Sequence, residues 1–305
     1  MTLAQLGYGD PPRKQERPQR VLVKTLESLA LELLERMEKG IGNPRSTGIE
    51  LLDEALMGGI EDGDIVLLGG PTSHGKTVLG LQLARNATEH HRNVILVSEE
   101  MAGTQLAKRS LQSRIHLPPD EWPAVSHKIK AEAKGYWSNC GKAFVLETCR
   151  TIERVEETVK QITSEYDVDM VVLDYVQLLT AKGNSRYEQV TRCSTRFCEL
   201  VRNHNMAGVL VAQFNRDAAK GGADIYSFKD SSQLEQDADI VLLIEWLAKT
   251  HPDHPNPRDF RVKIKKNRNR AIRHHEVILE FHPEMQTVVS PEPERYPEFD
   301  EWNKQ

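Results

Sequence analysis

No run of apolar residues in this chain approaches the roughly 18 that a membrane-spanning helix requires, and the N-terminus lacks the apolar segment of an export signal. Both absences point to a protein of the cytoplasm, with no membrane partner. Cysteine is scarce, and Cys140, Cys149, Cys193 and Cys198 form neither a C-x-x-C pair nor a Cys/His spacing of the zinc type, so they read as reduced thiols. The adjacent pairs His90-His91 and His274-His275 point apart on helix or strand alike, which makes them poor metal sites. No internal repeat is present. What remains is a globular chain whose 305 residues, 39% of them hydrophobic, suffice for one large or two small domains. The formal net charge is −5, yet Arg261, Lys263, Lys265, Lys266, Arg268, Arg270 and Arg273 crowd one short segment, so overall acidity does not exclude a nucleic-acid partner.

The most informative run is Gly70-Pro71-Thr72-Ser73-His74-Gly75-Lys76-Thr77. It follows the apolar stretch Ile65–Leu68 and precedes the helical pattern Val78, Leu79, Leu81, Leu83, Ala84, which is the strand, loop and helix order of a phosphate-binding P-loop. In such a loop the backbone N–H groups of Gly70 to Thr77 turn inward as an anion nest, Lys76 reaches the β- and γ-phosphates, and the Thr77 hydroxyl ligates Mg²⁺. The residues therefore predict a nucleoside triphosphate bound with Mg²⁺.

Residues 1–20 are rich in Pro, Arg, Gln and Gly and read as a flexible tail. From there Leu22, Leu26, Leu29, Ala30, Leu33, Leu34 and Met37 make a helical stripe that Gly40 can end, and residues 41–46 isolate this amphipathic helix from the remainder of the chain. The helix and connector occupy 21–46, a larger domain 47–290, and a short tail 291–305. Within the larger domain, strand candidates at Ile65–Leu68, Val94–Val97, Ala143–Leu146, Met170–Leu173, Val209–Ala212 and Ile240–Ile244 alternate with helical patterns. That alternation predicts an α/β fold with a mostly parallel sheet. Phe260–Lys266 and Glu276–Phe281 then flank the basic stretch as an antiparallel hairpin, with Thr287–Val289 as an extra edge strand.

Three strand ends carry further candidates. Val171-Val172-Leu173 runs into Asp174, where a P-loop enzyme keeps the acid that holds Mg²⁺. Val94–Val97 runs into Ser98-Glu99-Glu100-Met101, two acids at a carboxyl edge that lies beside the phosphates if this strand neighbours the P-loop strand. Because successive strand side chains face opposite ways, only one of the two acids should polarise an attacking water. Val209–Ala212 runs into Gln213, an amide able to sense the γ-phosphate.

Together these segments resemble the RecA-like motor domain of the DnaB family of replicative hexameric helicases, from about Thr47 to Phe281. Thr47-Gly48-Ile49-Glu50-Leu51-Leu52-Asp53 is similar to that family's opening segment, which recombinases and KaiC-type ATPases share. More specific are Ser98-Glu99-Glu100-Met101, similar to Ser-Leu-Glu-Met, and Asp174-Tyr175-Val176-Gln177-Leu178, similar to Asp-Tyr-Leu-Gln-Leu. Leu234-Glu235-Gln236-Asp237-Ala238-Asp239-Ile240-Val241 is nearly the whole Ile-Glu-Gln-Asp-Ala-Asp-Ile-Val signature.

The resemblance implies that Glu100 is the catalytic glutamate, Glu99 standing where the family usually has Leu, and that Gln213 is the family's strand-end Gln. Lys266-Asn267-Arg268-Asn269 resembles Lys-Gln-Arg-Asn, which implies an arginine finger at Arg268 and a helper at Lys266, both reaching a neighbouring subunit's site. The helix before residue 40 takes the place of the family's linker helix, which docks on the adjacent motor domain.

The resemblance further implies an ATP hydrolase that forms a ring, a homo-hexamer by family, moves on single-stranded DNA 5′-to-3′ and unwinds duplex in DNA replication, with a primase or helicase loader as further partners. The family's N-terminal domain has no counterpart in the first twenty or so residues, as expected of a compact phage or plasmid version or of a truncated chain. DNA contacts are expected from three places: the loop from Lys182 to Tyr187, containing Arg186; the stretch from Arg216 to Lys220; and Lys229, Asp230 and Ser232, which align with the family's Arg, Glu and Gly. Backbone amides and cations there would track phosphates without reading sequence, with Tyr187 and Tyr226 as the stacking candidates. The alternatives are a RecA or RadA-type recombination ATPase and a KaiC-like switch that unwinds nothing. His74 stands where many family members have a small apolar residue, and the sequence does not say where its ring points.

Overall fold

The computed structural model describes residues 25–38, 44–115, 119–213 and 233–292. The amphipathic helix expected before residue 40 is α1 (Leu26–Glu38), opened by the Thr25 hydroxyl, which accepts from the Ser28 amide at 3.2 Å. Its residues Leu26, Leu29, Leu31 and Leu34 are exposed, so this apolar side is uncovered in the single chain.

Every strand candidate is a strand. The elements run α2 (Glu50–Ala55), β1 (Ile65–Gly70), α3 (Lys76–Glu89), β2 (Val94–Ser98), α4 (Gly103–Gln112), α5 (Ser126–Ser138), β3 (Ala143–Glu147) and α6 (Ile152–Glu165). They continue with β4 (Met170–Asp174), α7 (Arg186–Asn203), β5 (Ala207–Gln213), α8 (Gln233–Asp237), β6 (Ile240–Trp246), α9 (Leu247–Thr250), β7 (Asp259–Asn267), β8 (Glu276–His282) and β9 (Thr287–Val289). Among the described residues these strands form one nine-stranded sheet, ordered β3-β2-β4-β5-β1-β6-β7-β8-β9. The first six in that order are parallel and β7 to β9 are antiparallel.

The two-residue period of a strand explains the layers. In β1, Ile65 and Leu67 join a core with Val155, Val159, Phe197 and Val201 of α6 and α7, whereas Val66 and Leu68 join a second core with Leu52, Leu79 and Leu83 of α2 and α3. All six β1 residues are buried, as a parallel strand covered on both faces requires. The P-loop helix is also tied to the antiparallel end of the sheet. Gln82 donates through Nε2 to the Val288 carbonyl and accepts the Val288 amide through Oε1, both at 2.6 Å, so its side chain pairs with β9 as a strand would.

The strand order corrects one expectation. β2, which leads to Glu99 and Glu100, does not neighbour β1; β4 and β5 stand between them. Because all four strands run parallel, their carboxyl ends still open onto one edge, and there the phosphate-site candidates meet.

Candidate nucleotide site and its opposite edge

At the carboxyl edge, β1 ends on a glycine because the backbone approaches too closely for anything larger: a Cβ on Gly70 would lie 2.8 Å from the Ile244 carbonyl oxygen. Five residues on, Gly75 enters α3 with φ +88°, a conformation that other residues rarely adopt. Lys76 then folds back, its Nζ donating to the carbonyls of Gly70 at 3.0 Å and Pro71 at 2.7 Å. Burial drives its pKa down to about 8, against the charges of Asp174 and Glu100, which hold it up. The ammonium is thus poorly solvated and short of negative charge, which a phosphate supplies.

Asp174 closes β4 in a buried position, with Ser98 of β2 as its register partner. The Thr77 hydroxyl hydrogen-bonds its carboxylate, but burial, helped by Glu100, still raises its pKa. Its Oδ2 is buried without a hydrogen-bond partner. A buried carboxylate oxygen left unpaired beside a threonine hydroxyl is a donor set of the hard-oxygen kind that Mg²⁺ takes, so Thr77 and Asp174 fit the expected metal.

Glu99 and Glu100 lie just past the end of β2 at Ser98, outside the strand, and make different contacts. Glu99 accepts the backbone amides of Cys149 at 2.9 Å and Arg150 at 3.0 Å, clamping a turn in which Thr148 and Arg150 both hold positive φ. Glu100 is exposed and close enough to Lys76 and Asp174 to act on both electrostatically.

Gln213 ends β5, its side-chain amide donating to the Thr72 hydroxyl in the P-loop. Gln177 braces it from behind: its amide donates to the Gln213 carbonyl at 3.2 Å and its Oε1 accepts the Gln213 amide at 3.3 Å. His74, left undirected by the sequence, turns inward, and its Nδ1 accepts the Trp246 amide at 3.0 Å. Burial, with Lys249 and Lys76 nearby, lowers its pKa, in keeping with an Nδ1 that accepts a hydrogen bond.

Sequence patterns gave no sign of Lys249 as a site residue. Its Nζ donates to the Ser73 carbonyl at 2.7 Å and lies 4.9 Å from the Trp246 ring centroid, adding a second ammonium to the loop. The only hint was its position soon after β6, the strand beside β1.

The basic segment is not the open cationic patch that its composition suggested. Arg261 pairs with Glu245 and Glu276, and Arg270 with Glu61 and Asp64. Lys266 donates to the carbonyls of Glu235 at 2.8 Å and Ala238 at 2.6 Å. Arg268 donates to Asp239 Oδ1 and to the Gln236 carbonyl, each at 2.8 Å. These carbonyls lie at the end of α8, where a helix leaves its acceptors unmatched and favours cations. The Glu-Gln-Asp-Ala-Asp run is therefore a seat for the two cations, a role its motif status did not reveal.

That seat is at the other edge of the sheet. Asn267 pairs with Ile240, which pairs with Val66, so Arg268 stands level with the start of β1. Five strand residues, about 16 Å, separate it from Gly70. Lys266 and Arg268 therefore do not join Lys76, Thr77, Glu100, Asp174 and Gln213 within one chain.

Arg186, expected on a DNA-facing loop, is also spent internally. Its guanidinium donates to the carbonyls of Leu179, at 3.1 Å, and Gln177, and to the Gln189 side chain. Tyr187 beside it is half exposed. Arg216, Lys220, Tyr226, Lys229, Asp230 and Ser232 lie outside the described residues. Among the described residues no group of His, Cys, Asp and Glu is arranged to hold a metal by itself, and no helix is long and apolar enough to cross a membrane.

Known proteins resemble this chain over most of its length. The chain is 27% identical over 270 residues to the replicative DNA helicase DnaB of Geobacillus stearothermophilus, covering 83% of this chain and 57% of that one. It is 27% identical over 245 residues to DnaB of Helicobacter pylori, covering 74% and 49%. The chain thus spans about half the length of these curated relatives. Among solved structures, the ATPase domain of G40P superposes with a TM-score of 0.79 at 22% identity, covering 89% of this chain and all of that one. A KaiC-like protein of Pyrococcus horikoshii shares the fold at a TM-score of 0.60 and 15% identity, covering 82% of this chain and all of that one. The model of the DnaB-like helicase C-terminal domain matches residues 45–290, and the chain belongs to that family.

Proposed function

We propose that this chain is the motor of an ATP-dependent, ring-forming DNA helicase that hydrolyses ATP between subunits, translocates on single-stranded DNA and unwinds duplex in replication. The observation that carries this reading is the separation of the two half-sites. A P-loop, a carboxylate with an unpaired oxygen and an exposed glutamate lie at one edge, and two seated cations lie at the other, too far away to serve the same nucleotide. A heterologous contact that brings one edge of a subunit against the opposite edge of the next would join them, and repetition of such a contact closes a ring.

In that assembly Lys76 and the loop amides bind the phosphates, Glu100 orients and deprotonates the attacking water, and Gln213 reports the γ-phosphate to β5. Thr77 and Asp174 would hold Mg²⁺, which would supply positive charge to the phosphates. Arg268, helped by Lys266, adds positive charge from the neighbour. The exposed apolar side of α1 suits docking on an adjacent motor domain. The DNA-contact proposal rests on the residue 182–187 loop, without the Arg186 side chain, together with Arg216, Lys220, Lys229, Asp230 and Ser232. Polarity of 5′-to-3′ and contact with a primase or loader follow from the family relationship alone; one DnaB-like structural relative was solved with its interactions with primase.

Native mass spectrometry with and without ATP and single-stranded DNA tests the ring, and a forked-duplex assay beside a strand-exchange assay tests the activity. A closed oligomer that unwinds the fork is expected. A strict monomer under every condition, or strand exchange without unwinding, overturns the reading.

A further inference from the structure

Arg268 does not stand alone at its edge. Asp239, which is buried, takes Arg268 on Oδ1 at 2.8 Å, while its Oδ2 accepts Arg202 of α7 at 3.1 Å and the backbone amide of Ile65 at 3.0 Å. The Asp239 carbonyl also accepts the Arg268 amide at 2.8 Å. One residue thus grips the finger candidate by side chain and by backbone, and joins it to the first residue of β1, the strand whose other end is the P-loop. The grip leaves Arg268 able to act elsewhere. Two of the five N–H donors of a guanidinium are used on described residues, and the side chain is 47% exposed.

We propose that Asp239 is the positioning residue of the trans-acting cation: it aims Arg268 at the neighbouring subunit's nucleotide and ties that aim to β1 of its own subunit. The proposal rests on the reading of Arg268 as a finger. An arginine free to swing loses rotamer entropy on each catalytic engagement, and a carboxylate that fixes one side of the guanidinium removes much of that cost. Arg202 compensates the charge of Asp239 from the other oxygen, so the carboxylate can hold one side of Arg268 while the remaining donors face phosphate. Ile65 gives the device a second consequence, since its amide holds Oδ2 of the same carboxylate whose Oδ1 holds Arg268, so any shift of β1 would be passed to the cation through one side chain.

The test is Asp239→Asn, nearly isosteric and still able to accept the Ile65 amide. kcat for ATP should fall roughly 10- to 100-fold with little change in KM, because the variant's own P-loop is intact. A merely local structural role is separated by mixing. In rings co-assembled from Asp239→Asn and Glu100→Gln chains, roughly a quarter of the junctions pair an intact Glu100 with a correctly aimed Arg268, so two weak proteins together should regain turnover. Arg268→Ala mixed with Glu100→Gln is the control for the finger itself.

If that control fails to complement, the finger reading falls and this proposal with it. If the control complements but Asp239→Asn does not, or if Asp239→Asn alone turns over like wild type, only the positioning role is overturned. Should Asp239→Asn not assemble, Arg202→Gln takes its place with the same mixing test: partial loss that complements with Glu100→Gln supports the relay, and wild-type turnover overturns it. The double variant Asp239→Asn with Arg268→Ala should be no slower than Arg268→Ala alone, and multiplied losses would overturn action through Arg268.

Discussion

At the two edges of the sheet the candidate site residues, Lys76 and Asp174 at one and Lys266 and Arg268 at the other, differ in how fully they are satisfied. At the carboxyl edge, Lys76 is tied only to neutral carbonyls with its pKa pushed down to about 8, and Asp174 keeps a buried oxygen with no partner. At the opposite edge, Arg268 and Lys266 are matched to a carboxylate or to helix-end carbonyls, whereas Arg270, ion-paired with Asp64, keeps its buried Nε and Nη1 without a hydrogen-bond partner. Unmet hydrogen-bonding capacity in a buried site is costly unless a ligand meets it, so the first edge is built to receive. A satisfied, half-exposed cation is preorganised at little cost to binding, so the second edge is built to be presented. On the proposed reading catalytic competence is divided between the two, and the fold keeps the halves apart within one chain.

The largest expected effect comes from removing what the second edge presents. Arg268→Ala should slow ATP turnover by about 10³-fold or more, with nucleotide affinity near wild type and the oligomer retained, as steady-state kinetics and native mass spectrometry would report. Normal hydrolysis would reduce that edge to a structural network. Next in size is Glu100→Gln at the receiving edge, expected to cost roughly 10²- to 10⁴-fold in turnover while ATP still binds. Filter binding of labelled ATP checks retention, and loss of binding together with turnover would move Glu100 from chemistry to ground-state binding.

A smaller effect sharpens the electrostatics of the receiving edge. Free Lys76 has its pKa lowered to about 8 by burial, and bound phosphate favours the charged form. Affinity for a non-hydrolysable ATP analogue should therefore be flat below pH 8 and weaken up to about tenfold per pH unit above it. The unliganded fold should behave oppositely. Its lysine pKa lies below that of the unfolded chain, so the unfolded state holds more protons between pH 8 and the ordinary lysine value, and stability from this group rises with pH there. In Glu100→Gln the break should move to lower pH, because Glu100 is one of the charges holding the Lys76 pKa up. An unmoved break would remove Glu100 from the vicinity of the phosphates.

Much of this division was legible in the residues. Strand positions, the hairpin, Lys76, Thr77 and Asp174 follow from local patterns, because apolar runs, glycine placement and strand-end acids are local consequences of burial and backbone geometry. Strand order was not: the neighbours of β2 are fixed by long-range pairing, which hydrophobic pattern does not encode. Nor were the partners of the basic segment, since Glu245, Glu276, Glu61, Asp64 and Asp239 come from distant stretches that only the fold assembles. Arg186 was expected at DNA because its loop, directly after the Asp174 strand, takes the place of a channel-lining loop in the resembled family; its guanidinium instead donates to the carbonyls of Leu179 and Gln177.

The smallest catalytic effect should come from the acid adjacent to Glu100, and it is the sharpest test of how the receiving edge is built. Glu99 accepts two successive amides of a turn whose Thr148 and Arg150 hold positive φ, and it faces away from Lys76. Replacing it with the family's Leu removes both acceptors from amides held in a conformation that such residues seldom adopt. The loss should be about 1–3 kcal/mol of stability, read as a lower thermal midpoint. Turnover at a temperature where the variant is folded should stay within roughly threefold of wild type, because a surface-lying clamp of this kind moves no group that touches phosphate. A turnover loss for Glu99→Leu as deep as that for Glu100→Gln, with the midpoint unchanged, would mean that the two acids share the water, and the separate roles drawn from their different contacts would have to be abandoned.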